Sequence, residues 1–412
     1  MWCGRRKPVK VLYMTNEYPP HIYGGAGVHV EYLSREMAKL TPVEVRSFHN
    51  QSEDLLDGRL KVRGTAVDPP YVDGCPPAFR SPLRALTTGI AFNGQGIDAD
   101  VVHCHTWYAH FGGLLAQHLY ATPLVVTVHS LEPMRPWKRD QLGRGYNLSS
   151  WIEAVALESA DAVIAVSEST RDDVLSLFPD IEPARVPVIY NGIDIEEYRP
   201  VVDRELLQTY GIDPERPYVL FVGRMTRQKG VYYLLRAAHA LDHDAQLVLC
   251  AGGADTPEMA AELEAMVYEL QRERDGVIWI PEMLSRATAV AFFAQATVFC
   301  CPSIYEPFGI INLEAMACGT AVVASAVGGI VEVVANGETG LLVDPRLSGE
   351  PPFDPVDGER FASDLAEAMN TVLRDGTLAG RLGAAGRARV EQHFSWAKIA
   401  EQTFELYQSL LE

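Results

Sequence analysis

The chain has 412 residues, of which 48% are hydrophobic and 22% charged, values typical of an ordinary globular protein with two domains. Its 54 acidic and 35 basic residues give a formal net charge of -19. This charge disfavours nucleic acid or an anionic membrane as a partner, because both bind basic surfaces. The net charge is still compatible with a small anionic ligand, provided that a few cationic side chains cluster at its binding site.

The seven cysteines lack metal-type spacing, so we expect reduced thiols and a cytoplasmic protein, without a zinc site or a disulfide framework. The basic N-terminus is followed by an apolar run too short for a signal peptide. No window of the sequence approaches the length of a membrane span. Composition leaves a homo-oligomer open.

Short apolar runs alternate with helix-like patterns along the whole chain. The predicted strands are Val9–Met14, Val43–Phe48, Asp100–Cys104, Leu124–His129, Ala162–Val166, Val186–Tyr190, Tyr218–Val222, Gln246–Ala251, Val277–Ile280, Ala296–Cys301, Ala321–Ala324 and Gly340–Val343. Runs that are apolar throughout indicate strands buried on both faces, and helices between them indicate parallel sheets. Twelve strands exceed one ordinary sheet, so the sequence predicts two Rossmann-like, doubly wound α/β domains facing a cleft.

The strand series restarts after a predicted linker that carries one short helix, from Pro200 to Pro217. We therefore assign residues 1–192 to an N-terminal domain and 193–394 to a C-terminal domain, with a last helix, 395–412, packing back on the first. The Pro/Gly-rich segment 345–357 is predicted to be a surface loop. Ligands bind beyond the carboxyl ends of parallel strands, so the strand-to-helix loops are the places to search.

The first such loop carries Gly24, Gly25 and Gly27 before a helix predicted from Val28. Glycines at a helix N-terminus let backbone N–H groups approach a phosphate closely. The spacing is not G-x-G-x-x-G, which disfavours a dinucleotide site. An ordinary glycine turn is the equally supported alternative.

Three cations follow the first strand of the second domain: Arg224 leaves the strand tip, Arg227 follows, and Lys229 begins the next helix. Arg224 and Lys229 can converge on one anion, since arginine offers a planar fork and lysine a point charge to phosphate oxygens. A solvated basic turn is the alternative.

The loop after Cys301 leads into a helix predicted to start near Phe308, just after Glu306. The N–H groups of Gly309, Ile310 and Ile311 would be unsatisfied first-turn donors, which form a ready anion site. Glu314 lies two turns along, near enough to the same side to reach a ligand at the helix end. Compensation of the helix dipole by Glu306, with Glu314 facing solvent, is the alternative.

Histidines end two predicted strands of the first domain. His103 is interpreted as a satisfied structural histidine, whereas His105 and His129 are candidates for function. Three histidines could suggest a metal, but ligand geometry also needs a carboxylate or open positions. We expect no metal site.

Taken together, these motifs resemble GT-B glycosyltransferases of family 4, which includes the bacterial glycogen synthases. The resemblance covers nearly the whole chain, and its most specific elements are the pairs Glu306/Glu314, Arg224/Lys229 and Gly24-Gly25 together with His129. The branch of actinobacterial-type glycogen synthases and α-maltose-1-phosphate synthases is the most similar. Its local marks include His105-Thr-Trp107-Tyr and the segment from His129 to Lys138.

The resemblance implies residue roles for a nucleotide-sugar donor. Arg224 and Lys229 would hold the diphosphate, with the Gly24-Gly25 pair at the phosphate and the amides of Gly25 and Ile311 adding to the clamp. Glu306 and the backbone of Phe308, Gly309 and Ile310 would hold the glucosyl hydroxyls, and Glu314 the ribose. His129 would lie by the anomeric centre, and the base would stack near Met283.

The implied activity is retaining α-1,4-glucosyl transfer from ADP-glucose, without metal or pyridoxal phosphate. Two departures, Ile22-Tyr23 before the glycine pair and Thr106 after His105, cast doubt on polymer elongation as the sole activity. The acceptor would be an α-glucan end, glucose 1-phosphate or both. A GT-B enzyme using a UDP- or GDP-sugar on another acceptor and a non-catalytic sugar-binding protein are the alternatives.

A cationic segment after His129 suggests how a phosphorylated acceptor would be held. Burying a phosphate needs charged partners, whereas a neutral glucan needs aromatic platforms and hydroxyl partners. The alternative is that the cations solvate a mobile loop or pair with Glu132 and Asp140. The candidate acceptor-binding residues are His105, Arg135, Lys138, Arg139, Arg144 and Tyr146.

Overall fold

Two parallel sheets form from the predicted apolar runs, one in each of two units. The computed structural model describes residues 8–349 and 353–412. Unit 1 ends at Asn191 and takes in Trp396–Glu412 again, while unit 2 comprises Gly192–Ser395. These limits fall one residue from the predicted ones. The basic N-terminus, residues 1–7, lies outside the described residues, as do 350–352 of the predicted loop.

Unit 1 is built on a sheet whose order is β3-β4-β2-β1-β5-β6-β7, parallel except for the β3–β4 pair. Its strands are β1 (Val11–Thr15), β2 (Val43–Phe48), β3 (Ser52–Leu55), β4 (Leu60–Thr65), β5 (Val101–His105), β6 (Leu124–Val128) and β7 (Ala162–Ala165). Its helices are α1 (Gly25–Leu40), α2 (Pro70–Asp73), α3 (Pro77–Gly94), α4 (Trp107–Tyr120), α5 (Lys138–Leu142), α6 (Gly145–Ser159), α7 (Glu168–Leu177) and, at the end of the chain, α16 (Trp396–Leu410).

The central strands of unit 1 are buried at every position, as expected of strands covered by helices on both faces. The last helix, α16, packs against α1. Its residues Trp396, Ile399 and Tyr407 belong to the same core as Val30 and Leu33 of α1. The apolar face of α16 thus completes one side of the unit 1 core.

Two predictions about strands in unit 1 are wrong. Strands β3 and β4 went unpredicted because they lie at the sheet edge, and three of the four β3 residues are exposed and polar. Segment Val186–Tyr190, predicted as a strand, forms only an isolated bridge between Val188 and Ala165. Pro187 lies inside that run and has no N–H to donate to a ladder.

Unit 2 carries a second parallel sheet, ordered β10-β9-β8-β11-β12-β13. Its strands are β8 (Tyr218–Arg224), β9 (Gln246–Gly252), β10 (Val277–Ile280), β11 (Val298–Cys301), β12 (Ala321–Ser325) and β13 (Gly340–Val343). Its helices are α8 (Arg204–Thr209), in the predicted linker, α9 (Val231–Ala238), α10 (Pro257–Glu273), α11 (Arg286–Gln295), α12 (Ile310–Ala317), α13 (Ile330–Val333), α14 (Gly358–Arg374) and α15 (Gly376–His393).

Strand order reverses once within each parallel set. In unit 1 the reversal lies between β1 and β5, and in unit 2 between β8 and β11. At such a point the two loops leave in opposite directions and open a crevice where ligands bind. The predicted phosphate loops follow β1, β8 and β11, and His105 ends β5. Among the described residues no helix has the length and apolarity to cross a membrane.

Candidate active site

In unit 2 a turn after β8 brings a cation beside the loop that follows β11. Lys229 closes a 3-10 turn, Arg227–Lys229, rather than beginning a helix as predicted, and α9 starts at Val231. Gly230 between them has φ +64°. A Cβ there would lie 1.9 Å from the carbonyl oxygen of Pro302, so only glycine allows this close approach.

Lys229 and Glu306 form an ion pair at this crevice. The Lys229 Nζ donates to Glu306 Oε2 at 2.6 Å, and the Ser303 hydroxyl donates to the same oxygen at 3.3 Å. The two side chains are 26% and 10% exposed. Burial works against the charge of Lys229, but the Glu306 carboxylate outweighs it and raises the pKa of the lysine above its ordinary value. The lysine is therefore a cation near neutral pH.

The other two cations of the motif differ in their surroundings. Arg224, the last residue of β8, is exposed. Arg227 is held by Asp354, whose Oδ1 accepts from the arginine Nε at 3.1 Å. Of the three predicted cations, Arg224 and Lys229 thus remain the candidates for an anionic ligand, and Arg227 has a structural partner.

Helix α12 begins at Ile310, not near Phe308 as predicted. Gly309 precedes it with φ +95° and so takes the cap position rather than the first turn. Phe308 is 2% exposed and contacts Phe394, so its side chain belongs to the core. The amides of Ile310 and Ile311 lie in the first turn, where an α-helix provides no acceptor of its own.

Two glycines that sequence reasoning missed hold the Glu306 loop in place. The Gly329 N–H donates to the Glu306 carbonyl at 3.0 Å. A Cβ at Gly328, where φ is +49°, would lie 2.1 Å from that carbonyl oxygen, and one at Gly329 would lie 2.5 Å from the oxygen of Pro307. In the sequence, Gly328 and Gly329 lie outside every recognised motif, so their contact with the Glu306 loop could not be predicted.

Glu314 is half-buried and hydrogen-bonded, rather than facing solvent. The Tyr198 hydroxyl donates to Glu314 Oε1 at 3.1 Å. Burial raises the pKa of Glu314 to about 7, although this hydrogen bond and the nearby Arg286 act in the opposite direction. Tyr198, two residues before the predicted linker, was not among the predicted site residues. Met283, the predicted neighbour of the base, is 79% exposed.

In unit 1 the glycine loop is tied down by a buried acid. Helix α1 begins at Gly25, three residues before the predicted start. Glu17, 5% exposed, accepts the N–H groups of Tyr23 at 3.1 Å and Gly24 at 2.9 Å. The Gly24 amide therefore already has a carboxylate partner, and Gly25 supplies the first helical N–H; the use of this pair for phosphate stays a prediction.

The histidines of unit 1 differ in their hydrogen-bond partners. His103 is buried, with Nδ1 2.6 Å from the Tyr407 hydroxyl and Nε2 2.7 Å from the Thr127 hydroxyl, as a structural histidine requires. His105 Nδ1 lies 3.1 Å from His129 Nε2. His29 of α1, which sequence reasoning missed, joins this pair with its ring centroid 4.7 Å from that of His129.

Burial sets the charge of these rings. It lowers the pKa of His105 and His129 well below the ordinary value, and neighbouring histidines push it in the same direction. Burial also lowers the pKa of His29 to about 4, although its hydrogen bond to Asn191 partly opposes this shift. All three rings are neutral at pH 7.

The cationic segment after His129 is largely organised around one buried acid. Glu132 is 0% exposed and accepts from Arg135 Nη2 at 2.5 Å and from the Ser149 hydroxyl at 2.8 Å. The Tyr146 hydroxyl donates to the Glu132 carbonyl at 2.6 Å, and Tyr146 is 4% exposed. Arg135 and Tyr146 thus hold the segment together, and their acceptor-binding role stays a prediction.

Two further cations of the segment reach its surface. Arg139 lies over the Tyr146 ring, 5.1 Å from its centroid. Arg144 is exposed beside a small pocket that Phe79, Leu83 and Leu148 also line. Lys138 is half-buried at the start of α5. The roles of Lys138 and Arg144 at an acceptor stay predictions.

Two sequence families match the chain in succession. Residues 23–197 match Glycosyltransferase Family 4, and residues 202–350 match Glycosyl transferases group 1. The "Alpha-maltose-1-phosphate synthase" of Mycolicibacterium smegmatis is 48% identical over 98% of this chain and 100% of its own length. The "Glycogen synthase" of Mycobacterium tuberculosis is 28% identical over 97% of this chain and 94% of its own length.

A solved structure of similar fold is the sucrose-phosphate synthase from Thermosynechococcus elongatus. It has a TM-score of 0.75 and 25% identity, and the match covers 98% of this chain and 99% of that one. Two parallel-sheet α/β units with loops converging at their switch points define a GT-B glycosyltransferase, which confirms the predicted fold class. The chain belongs to glycosyltransferase family 4 and is an enzyme of that class.

Proposed function

We propose that this glycosyltransferase moves an α-glucosyl group from ADP-glucose to the 4-hydroxyl of glucose 1-phosphate, forming maltose 1-phosphate, and that α-glucan ends serve as a second acceptor. The observation that carries the proposal is the partly buried Lys229–Glu306 ion pair at the switch point of unit 2. The 48% identity to an α-maltose-1-phosphate synthase over its full length supports the choice of product.

The donor diphosphate is assigned to the cations of unit 2. Lys229 keeps its charge because of Glu306, and Arg224 stands exposed at the end of the same strand. The first-turn amides of α12 add partial positive charge. When the glucosyl–phosphate bond breaks, negative charge grows on the departing oxygen, so these preorganised groups stabilise the transition state more than the ground state.

Two carboxylates are assigned to hydroxyl groups of the donor. Glu306 accepts from the glucosyl hydroxyls while its other contacts, to Lys229 and Ser303, keep the side chain oriented. Glu314 accepts from the ribose, and the Tyr198 hydroxyl fixes its carboxyl group. A carboxylate near the sugar also offsets the positive charge of an oxocarbenium-like transition state.

Unit 1 is assigned to the glucosyl ring and the acceptor. His129 is neutral and so hydrogen-bonds a sugar hydroxyl without placing a second positive charge beside the anomeric carbon. Lys138 and Arg144 are the cations proposed for the phosphate of glucose 1-phosphate. In the transfer, the acceptor oxygen forms the new bond on the face that the phosphate leaves, and the departing phosphate oxygen takes the acceptor proton. The reaction proceeds with retention and assigns no step to a metal ion.

The test compares two donors and two acceptors with the purified protein. ADP-glucose or UDP-glucose is incubated with glucose 1-phosphate or glycogen, and the products are separated and identified by ³¹P and ¹H NMR. We expect a doubly α-linked maltose 1-phosphate from ADP-glucose and glucose 1-phosphate. Transfer to glycogen alone would reject the proposed acceptor, and efficient use of UDP-glucose alone would reject the donor.

A further inference from the structure

Three imidazole rings meet at the carboxyl end of the unit 1 sheet. His29 comes from α1, His105 ends β5, and His129 follows β6. One nitrogen of each ring lies within 4.8 Å of one nitrogen of each of the other two. The closest pair, His105 Nδ1 and His129 Nε2, is 3.1 Å apart.

Two nitrogens of this cluster are buried without a hydrogen-bond partner. They are the Nε2 atoms of His29 and His105, which lie on residues only 2% and 0% exposed. Most buried side-chain polar atoms in native proteins have a partner, because an unpaired buried group costs free energy. His105 already meets His129 through its other nitrogen, Nδ1, so the unpaired Nε2 of His29 is the atom that points to a ligand at the cluster.

The contact made by His29 on its other side defines which kind of ligand fits. Asn191 Oδ1 lies 2.5 Å from His29 Nδ1 and can only accept, so Nδ1 carries the proton and Nε2 presents its lone pair. A ring nitrogen fixed by an amide or carboxylate oxygen behind it is the usual second-layer support of a metal-binding histidine. The tautomer of His29 is thus the one that a metal ion requires.

We propose that His29, His105 and His129 form a binding site for a divalent transition-metal ion, with Zn²⁺ as the best fit. Imidazole suits zinc, copper and nickel, and three histidines leave a fourth, open position of a zinc tetrahedron. At a Zn–N distance of about 2.1 Å the ligand nitrogens lie about 3.4 Å apart. His105 Nδ1 and His129 Nε2, 3.1 Å apart, already have nearly that separation, and the His29 nitrogen, within 4.8 Å of both, would move closer on binding.

A metal ion bound at these three histidines would regulate the transferase activity and would take no part in catalysis. A zinc ion on His129 would occupy the ring that the proposed function assigns to the sugar, so the bound metal should inhibit transfer. The binding itself involves no donor or acceptor. It can therefore be tested even if the proposed substrates are wrong.

The first experiment uses Co²⁺ as a spectroscopic substitute for zinc in the metal-free wild-type protein. Saturable binding of one equivalent, with the intense visible bands of four-coordinate cobalt that Zn²⁺ then abolishes, is the expected result. A spectrum of six-coordinate cobalt only, or no saturation, would overturn the proposal without any variant having to fold.

The second experiment measures Zn²⁺ affinity by competition with a chromophoric chelator. His29→Gln and His105→Gln should each weaken binding by at least about 10–100-fold, the range for loss of even an outer partner. His118→Gln, on an exposed position of α4, is the matched control and should leave the affinity unchanged. Circular dichroism verifies folding. Wild-type affinity in either cluster variant, or equal loss in all three proteins, would overturn the site.

Discussion

The polar side chains at the two switch points differ in charge: unit 2 has an ion pair and unit 1 has neutral imidazole rings. In unit 2 Lys229 keeps its charge because the Glu306 carboxylate lies 2.6 Å from its Nζ. In unit 1 burial and the neighbouring histidines lower the pKa of His105 and His129, so these rings are neutral. A pair of charges suits a diphosphate and its departing oxygen, whereas neutral rings suit hydroxyl groups or a metal ion.

The largest effect should come from breaking the charged pair of unit 2. Lys229→Ala and Glu306→Ala should each lower kcat about 10²–10³-fold, the usual cost of one preorganised charged group. The measurement is initial rate at saturating donor, with folding verified by circular dichroism.

Arg227→Ala provides the matched control for that pair. It removes a cation two residues from Lys229 whose partner, Asp354, is structural. We expect its kcat to stay within a few-fold of wild type. Near-normal turnover in Lys229→Ala, or an equal loss in Arg227→Ala, would contradict the assignment of the charged pair.

A smaller effect should distinguish the two acceptors through unit 1. Lys138→Ala or Arg144→Ala should weaken the use of glucose 1-phosphate by about 1.5–3 kcal/mol for each charge-assisted hydrogen bond lost. Transfer to glycogen should change less, because its end carries no phosphate. The measurement is kcat/KM for both acceptors in each variant. An equal fall in kcat/KM for both acceptors, or no fall for either, would contradict a role of these cations in binding the acceptor phosphate.

The buried acids behind the cationic segment should make stability depend on pH. Glu153, 3% exposed, accepts the Glu132 N–H at 2.8 Å. Burial, and then the charge of Glu132, raises the pKa of Glu153 well above its usual range. An unfolded glutamate ionises near pH ~4.3, so above that pH the unfolded state has released a proton that the folded state retains. The free energy of unfolding should therefore fall as the pH rises, by up to about 1.4 kcal/mol per unit.

Glu153→Gln keeps the shape of the side chain and removes this titration. Urea unfolding at pH 5, 6 and 7 should show a shallower fall in the variant than in wild type. Glu158→Gln, exposed on the same helix α6, is the control and should follow the wild-type slope. Parallel curves for all three proteins would show that Glu153 is already ionised in the folded state.

The smallest predicted effect concerns the tyrosine behind Glu314. Tyr198→Phe removes one hydrogen bond, worth about 0.5–1.5 kcal/mol, that favours the ionised carboxyl group. The pKa of Glu314 should rise above about 7, so the acidic limb of the kcat/KM profile for the donor should move to higher pH. A stability change with an unmoved profile would separate Tyr198 from the donor site.

The parts of this molecule that sequence reasoning predicted are those whose signal is local. Runs that are apolar at every position identified the central strands, and charged residues at strand ends identified Lys229 and Glu306. The edge strand β3 has mostly exposed polar residues and so carries no such signal. His29 and Tyr198 were missed because their partners are Asn191 and Glu314, far away in the chain. The contacts of Arg135 and Tyr146 with Glu132 were not predicted, because in the sequence Glu132 looked like one surface acid among several.

The glycine contacts of unit 2 also bear on engineering of the enzyme. Under the proposed function, libraries that aim to change the preference for the donor base would vary Met283, whose side chain is 79% exposed. Gly230 and Gly328 are poor targets, because a methyl group there would lie 1.9 Å or 2.1 Å from a backbone carbonyl oxygen. The backbone around the ion pair is therefore a fixed frame, and under the proposed function nucleotide preference would be redesigned at Met283 without moving Lys229 or Glu306.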